Sequence, residues 1–397
     1  MSRYLMNGTA ARERIVELAR AEGFALIGFA PAGEMPGPRE AALAAFREGR
    51  LAEMAWMTPE WLVHATNPGA FLPGARTVIV LALPCHAPDP ISPHPSSLTA
   101  SRGRVARYAR GRDYHRVFEK KLRRIARTLR DELGAAARAT VDYGPLLERP
   151  LAVLAGAGWQ GKSAMLLVPG FGPWVMLGAI ATDLEVEPGA PLRKSCGSCT
   201  RCLAACPTGA LSPAGHVLDS RLCISYHTIE NRGPIPHALR PKFGDWIFGC
   251  DECLDSCPVG AARFESHPDF AAWRFDDAFP PLAELLALDD QAFAERFRGR
   301  AIMRAKRDGL LRNVCVALGN VGTAPDFAAL AAALDDHSPL VRGHAAWGLG
   351  RLAAREALEP EAAAALEARL AMEEDPFVRN ELTTALGNLV ATQRSEP

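Results

Sequence analysis

The sequence predicts an α+β multidomain chain, and three observations predict it. Helical and β-branched stretches alternate over roughly the first ninety residues; two compact cysteine runs between 196 and 258 each end in Cys-Pro; and an arginine-led helical segment occurs three times beyond residue 300. A length of 397 residues suits two or three domains at about 150 residues each. The expected boundaries are an α/β domain over 1–188, a cysteine module over 189–265, a connecting segment over 266–300 and α-helical repeats over 301–397.

Ile15, Leu18 and Ala19 fall on one face of a helix over 10–22, and Phe24 to Ala30 reads as a short buried strand. A Pro/Gly linker at 31–38 and a helix near 40–48 follow. PGARTVIVLALP then puts the β-branched run Thr77 to Leu83 in a second central strand. Pro84 to Pro95 is Pro-rich and is expected as a surface loop. Phe118, Leu122, Ile125, Leu129 and Leu133 follow helical spacing, so that helix buries one stripe and shows Lys120, Lys121, Arg124 and Arg127 elsewhere.

Lys+Arg and Asp+Glu stand at 45 each, so net charge says nothing about partners and local patches must. Between Arg102 and Arg130 there are twelve Lys or Arg against two acids, Asp113 and Glu119. Such a field is either a solvated helix face or a phosphate-contacting surface suited to nucleic acid. The N-terminal stretch is too charged for a signal peptide, and the apolar runs are broken by Pro and Gly short of a membrane span. A cytoplasmic, reducing setting with no membrane partner is expected.

CGSCTRCLAACP, from Cys196 to Pro207, has the spacing C-x2-C-x2-C-x3-C-P, which holds cubanes in bacterial two-cluster ferredoxins. Cys250, Cys253, Cys257 and Pro258 form the second half, and Cys223 is a detached eighth thiol. In that pattern the fourth cysteine of a run ligates the other cluster. Cys196, Cys199, Cys202 and Cys257 would then hold one 4Fe-4S cluster, and Cys206, Cys223, Cys250 and Cys253 the other. Zinc is the competing reading, since C-x-x-C pairs also build zinc ribbons, but ribbons rarely need three cysteines in seven residues. Disulfides suit short secreted chains instead. Cys85 and Cys315 stand alone and are not expected as ligands.

Gly156 to Ser163 matches G-x-x-x-x-G-K-S, a nucleotide phosphate loop. That loop needs a strand before it and a sustained helix after it. Here the preceding ERPLAVLA looks helical, and Pro169 ends any helix within two turns. The glycines are expected instead to let backbone approach a bulky cofactor.

GRDYH (111–115), VDYGPLLERP (141–150), AGAGWQGKS (155–163), GPWVMLGAI (172–180), the two cysteine runs and CISYHTIE (223–230) occur in an order that resembles the epoxyqueuosine reductase family over nearly the whole chain. The resemblance implies a cobalamin-binding α/β domain, a two-cluster bacterial ferredoxin-like module and C-terminal HEAT-like α-helical repeats. It also implies reduction of epoxyqueuosine to queuosine in the tRNA anticodon loop by a monomer fed from a low-potential electron donor. By position, Asp142 would be the general acid, its pKa raised by burial in an apolar pocket, and Tyr108, Asp113, Tyr114, Asp142, Gln160, Gly161, Lys162 and Ser163 would bind cobalamin. Three places depart from the family's pattern: Ala65 beside His64, Ala152 to Leu154, and Asp245 with Trp246.

LLRNVCVALGNVG (310–322), LVRGHAAWGLGRL (340–352) and FVRNELTTALGNL (377–389) repeat at spacings of 30 and 37 residues, which fit helix-pair solenoid units. Arg312, Arg342 and Arg379 recur at one place in each unit. They either cap neighbouring helices or line an edge for an RNA backbone. The tRNA contacts expected are Lys120, Arg124, Arg312, Asn313 and Arg342. A different class remains open, a ferredoxin-type electron carrier whose repeats dock a protein partner, and cobalamin content separates the two.

Overall fold

The computed structural model describes residues 8–91 and 100–394, with side chains to residue 390. In chain order the first elements are α1 (Gly8–Ala21), β1 (Leu26–Pro31), α2 (Pro36–Arg47), α3 (Pro59–Ala65), α4 (Pro68–Phe71), β2 (Thr77–His86) and β3 (Arg104–Val105). Next come α5 (Tyr114–Leu133), β4 (Ala137–Thr140), α6 (Glu148–Leu154), β5 (Trp159–Gln160), β6 (Leu166–Leu167), β7 (Val175–Thr182) and α7 (Arg201–Ala205). Then follow α8 (Ile224–Ile229), β8 (Trp246–Phe248), α9 (Glu252–Asp255), β9 (Glu265–Ser266), α10 (Phe275–Ala278), α11 (Leu282–Leu286) and α12 (Asp290–Arg296). The last are α13 (Lys306–Val321), α14 (Phe327–Ala332), α15 (Pro339–Glu356), α16 (Glu359–Met372) and α17 (Pro376–Arg394).

These elements form two compact units. One comprises 8–88, 112–221 and 251–271; the other comprises 89–91, 100–111, 222–250 and 272–394.

The first unit is built on a sheet of order β1-β2-β7-β4, with β9 added to the end of β2 and every pairing antiparallel. All ten residues of β2 are buried. An antiparallel strand usually keeps one face wet, so its unbroken apolar run reports cover on both sides. On one face α5 sets Phe118 and Leu122 against Gly178 of β7, where a Cβ would come within 2.6 Å of the Phe118 ring. On the other, Leu151, Ala152 and Ala155 pack with Val78, Val80, Ala179 and Ala181. The amphipathic α5 begins where Asp113 caps the His115 N–H and ends at Gly134 in the left-handed region.

Pro84 to His86 continue β2, which corrects the loop expected from Pro84. Proline fits there because its lost donor falls at the strand's end, and its carbonyl still accepts the His267 N–H at 2.8 Å. Residues 92–95 of the expected loop lie outside the described residues.

The second unit is mainly helical, with β3 and β8 paired in a short parallel ribbon. α13, α15 and α17 carry the three repeats, and their small residues set how closely they pack. A Cβ on Gly348 would lie 2.6 Å from the Cys315 carbonyl oxygen, and one on Gly343 would lie 2.4 Å from the Phe377 ring. Among the described residues no helix is long and apolar enough to cross a membrane.

Candidate active site and cluster module

Asp142 follows β4 in the left-handed region, with φ of +48°. A non-glycine residue held there is strained, and such strain persists only where surroundings over-determine it. Three contacts do so. Its N–H donates to Glu148 Oε1 at 2.6 Å, its Oδ2 lies 3.2 Å from His115 Nε2, and Gly144 turns back so tightly that a Cβ there would fall 1.6 Å from Thr140 Oγ1. His115 Nδ1 meets Asp113 Oδ1 at 2.7 Å, so the imidazole bridges two carboxylates.

The electrostatics correct the expectation for Asp142. The Asp142 side chain is 61% exposed rather than sealed in an apolar pocket; such desolvation as it suffers pushes its carboxyl up, but the hydrogen bonds from His115 and Tyr114, together with the His115 charge, outweigh it and hold the pKa below the ordinary value. Burial works against charge on His115 too, yet hydrogen bonds to Asp113 and Asp142 raise it to about 9. Burial, with the Asp142 charge adding, pushes Glu148 up to about 8. At neutral pH the protons therefore sit on His115 and Glu148, one bond away from Asp142. The Tyr143 hydroxyl donates to Glu119 and its ring stacks beside His115 at 5.6 Å. Neither His115 nor Glu148 was singled out from sequence, although His115 stands two residues after Asp113 in GRDYH and Glu148 lies within LLERP.

The glycine loop is not a phosphate loop. β5 and β6 pair antiparallel around it, so a hairpin stands where a nucleotide site needs a strand followed by a helix. Its glycines let β6 approach closely. A Cβ on Gly158 would lie 2.4 Å from the Leu167 oxygen, and one on Gly161 would lie 2.9 Å from the Leu167 side chain. Gln160 donates to the His216 carbonyl at 3.2 Å, Lys162 Nζ donates to the Gly197 carbonyl at 2.8 Å, and Ser163 is buried. Asp113, Tyr114 and Asp142 thus come together, while Gln160 and Lys162 attach to the cysteine module. Tyr108 belongs to the second unit, where its ring lies 6.3 Å from that of Phe248.

Within the first unit Cys202 and Cys257 lie close to other thiols of the expected set. Burial raises the Cys202 thiol, with Cys196 and Cys257 adding, and burial raises Cys257, with Cys196 and Cys199 adding. Four soft donors gathered in this way fit a cubane. Cys206 Sγ accepts the Ala210 N–H at 3.3 Å. Cys85 and Cys315 are both buried, one in β2 and the other in α13. Among the described residues no three His, Cys, Asp or Glu side chains form a ready single-ion site.

The basic field divides. Arg102, Arg104, Arg107 and Arg110 pair with Asp276, Asp245 and Asp89 inside the second unit. Asp245 and Trp246, which depart from the family's pattern, are thereby explained, since the Arg104 guanidinium also lies 4.2 Å over the Trp246 ring. On α5, Arg116, Glu119, Lys120, Arg123, Arg124 and Arg127 line an open depression of about 410 Å³. Lys120 is exposed there, whereas Arg124 forks onto Glu22.

The repeat residues correct the expectation of an RNA edge. Arg312 is 1% exposed and donates to the carbonyls of His227, Asn231 and Gly233. Asn313 is fully buried and donates to Thr228 and Ile247. Arg342 grips Glu373 with two bonds of 2.8 Å, and Arg379 donates to the Leu370 and Glu373 carbonyls. Arg312 and Asn313 thus tie α13 to the segment around α8 and to β8, and Arg342 ties α15 to Glu373, so these donors are engaged inside the fold.

Comparison with known proteins agrees. Residues 66–143 match the family model "Epoxyqueuosine reductase QueG, DUF1730", 195–260 a 4Fe-4S double cluster binding domain, and 298–387 HEAT repeats. A relative in Xanthomonas campestris pv. campestris, named epoxyqueuosine reductase, is 38% identical over 350 residues, covering 86% of this chain and 96% of its own. One of the same name in Gloeobacter violaceus is 39% identical over 325 residues, covering 80% and 98%. A solved epoxyqueuosine reductase with a tRNA-Tyr epoxyqueuosine-modified stem loop superposes with a TM-score of 0.89 at 29% identity, covering 97% of this chain and all of that one. The Bacillus subtilis enzyme, in a structure with an aspartate catalytic loop swung out of the active site, gives 0.87 at 28% identity, covering 96% and 100%. With its cysteine module, its strained Asp142 and identities of this size over most of its length, the chain belongs to the epoxyqueuosine reductase family.

Proposed function

We propose that the protein reduces the epoxide of epoxyqueuosine in a tRNA anticodon loop to the cyclopentene of queuosine. The observation that carries this reading is the proton-charged array of Asp113, His115, Asp142 and Glu148. The reaction takes up two electrons and two protons, and the epoxide oxygen leaves as water. It therefore needs an electron path and a proton donor at that oxygen.

Cys196, Cys199, Cys202 and Cys257 would hold one cluster, and Cys206, Cys223, Cys250 and Cys253 the other, fed by a low-potential donor. Cobalamin is the group proposed between the clusters and the substrate. One observation supports its fit: Trp159 Nε1, beside Gln160, is buried and has no partner among the described residues, and a corrinoid's peripheral amides offer the acceptor it lacks. Asp113, Tyr114, Asp142, Gln160, Gly161 and Ser163 would hold it, with Tyr108 and Lys162 as the further members of the set. When bound, it supplies a strongly reducing cobalt centre.

The residues of this chain handle the proton. Asp142 is ionised at neutral pH, so its proton comes from His115 Nε2, 3.2 Å away, and passes from Asp142 to the departing oxygen. Asp113 holds the imidazole in line by its bond to Nδ1. Lys120 and its neighbours on α5 would meet RNA phosphates, and Arg124 would join them only by leaving Glu22.

The test is anaerobic turnover of an epoxyqueuosine-bearing anticodon stem-loop by full-length protein carrying iron, sulfide and cobalamin, with a low-potential reductant. Mass spectrometry should show loss of one oxygen from the modified base. An unchanged base, with both cofactors bound and the stem-loop retained, would overturn the proposal.

A further inference from the structure

The β5–β6 hairpin is fastened at two ends. On one side Arg149 Nη1 donates to the Ala164 carbonyl at 2.6 Å, and the preceding Glu148 accepts the Asp142 N–H. On the other side Lys162 is held three times over, twice by the Cys196–Gly197 turn of the first cysteine run and once by His216. Its backbone N–H points at Cys196 Sγ, 3.4 Å away, its ammonium donates to the Gly197 carbonyl, and its own carbonyl accepts the His216 N–H at 2.9 Å. Gly215 keeps this contact close, since a Cβ there would fall 2.5 Å from Lys162 Cβ. A lysine bound this firmly beside a thiol is neither a free surface charge nor a phosphate ligand.

A four-thiolate cubane becomes more negative by one charge on reduction, so a nearby cation and an N–H donor to a ligand sulfur both favour the reduced form. Hydrogen bonds to sulfur and local charge are among the levers that set iron–sulfur potentials. We propose that Lys162 sets the reduction potential of the cluster held by Cys196, Cys199, Cys202 and Cys257, acting through the Cys196–Gly197 turn as a positioning residue. This rests on the reading that Cys196 is a ligand. The same hairpin links the turn to the Asp142 loop, so the residue that tunes the electron source is built into the backbone that holds the proton donor.

The experiment is a redox titration of the full-length, iron- and sulfide-reconstituted protein, followed by electron paramagnetic resonance, with Lys162→Met, Lys162→Gln and Lys162→Arg beside the wild type. Iron and sulfide content is measured on each. With content unchanged, Lys162→Met and Lys162→Gln should lower the reduced-to-oxidised ratio of one cluster about tenfold at a fixed potential, a 59 mV shift for one electron. The other cluster should stay put, and Lys162→Arg should restore most of the ratio. Two unshifted midpoints in clusters that remain intact would overturn the proposal. Iron loss in both neutral variants would also overturn it, by making Lys162 a clamp on the cysteine turn. Cys196→Ala separates the underlying reading: if all iron remained in that variant, the ligand assignment itself would fall.

Discussion

At the scale of single residues the chemistry turns on where the proton rests. A carboxylate beside a protonated imidazole is a poor acid until the imidazole gives up its proton, so His115 and Asp142 act as one unit. His115 has a pKa raised from 6.5 to about 9, so the stability its charge contributes is complete below about 6.5 and is lost as pH rises through about 9. Turnover should fall over the same alkaline window, and the His115 ring resonances should titrate near 9 by NMR. In Asp142→Asn one of its two carboxylate partners is gone, so that titration should move to lower pH. The same substitution should cut turnover by about a hundredfold or more while cobalamin and iron remain bound, the scale expected for losing a general acid. Near-normal turnover in Asp142→Asn would transfer the donor role to another group. The sequence showed Asp142 through its family block, but not this electrostatic arrangement. Whether burial or a neighbouring charge dominates a carboxyl depends on residues 27 positions away, and no spacing rule reports that.

At the scale of elements, what was legible was whatever repeats locally. The stripe from Phe118 to Leu129 gave α5, and the β-branched run gave β2. The recurring Leu-Gly segments gave the solenoid, because each records its own period in adjacent residues. Direction was not legible. The arginines that recur in α13, α15 and α17 looked alike along the chain, yet Arg312 spends its donors on carbonyls about 80 residues earlier, and Arg342 on Glu373. Arg342 heads the causes that, with Arg369, hold Glu373 down to about 2. Arg312→Met should therefore destabilise the protein by about 2–4 kcal/mol, since buried carbonyls lose charged donors that methionine cannot replace. The exposed Arg116→Ala should stay within about 0.5 kcal/mol. Denaturant unfolding monitored by far-UV circular dichroism compares the two, and equal effects would show that Arg312 is not a tie between elements. The phosphate-loop motif failed for a related reason. Its letters matched, but the hairpin that contains them is set by pairing of Trp159 with Leu167 and Gln160 with Leu166.

At the scale of the whole molecule, equal numbers of acidic and basic residues leave RNA recognition to local fields. Four arginines of the basic stretch are consumed by internal ion pairs, so the field that remains is the α5 ridge. The cysteine module should deliver about eight irons and eight sulfides per chain, with Cys85→Ser and Cys315→Ser retaining both clusters and Cys223→Ser losing iron. The reverse pattern would refute the ligand sets. The ridge makes the last demand. Among the described residues Lys120 and Arg127 have no carboxylate partner, so reversing them adds repulsion without breaking an ion pair of the fold. If each meets one phosphate, Lys120→Glu with Arg127→Glu should weaken stem-loop binding and flatten the slope of log affinity against log salt by about 2, one for each phosphate no longer neutralised. Arg312 and Arg342 are occupied by partners within the fold, so the slope should owe nothing to them. Fluorescence anisotropy of a labelled anticodon stem-loop over a salt series measures both quantities. A double reversal that left the slope as steep as in the wild type would move the RNA face off α5.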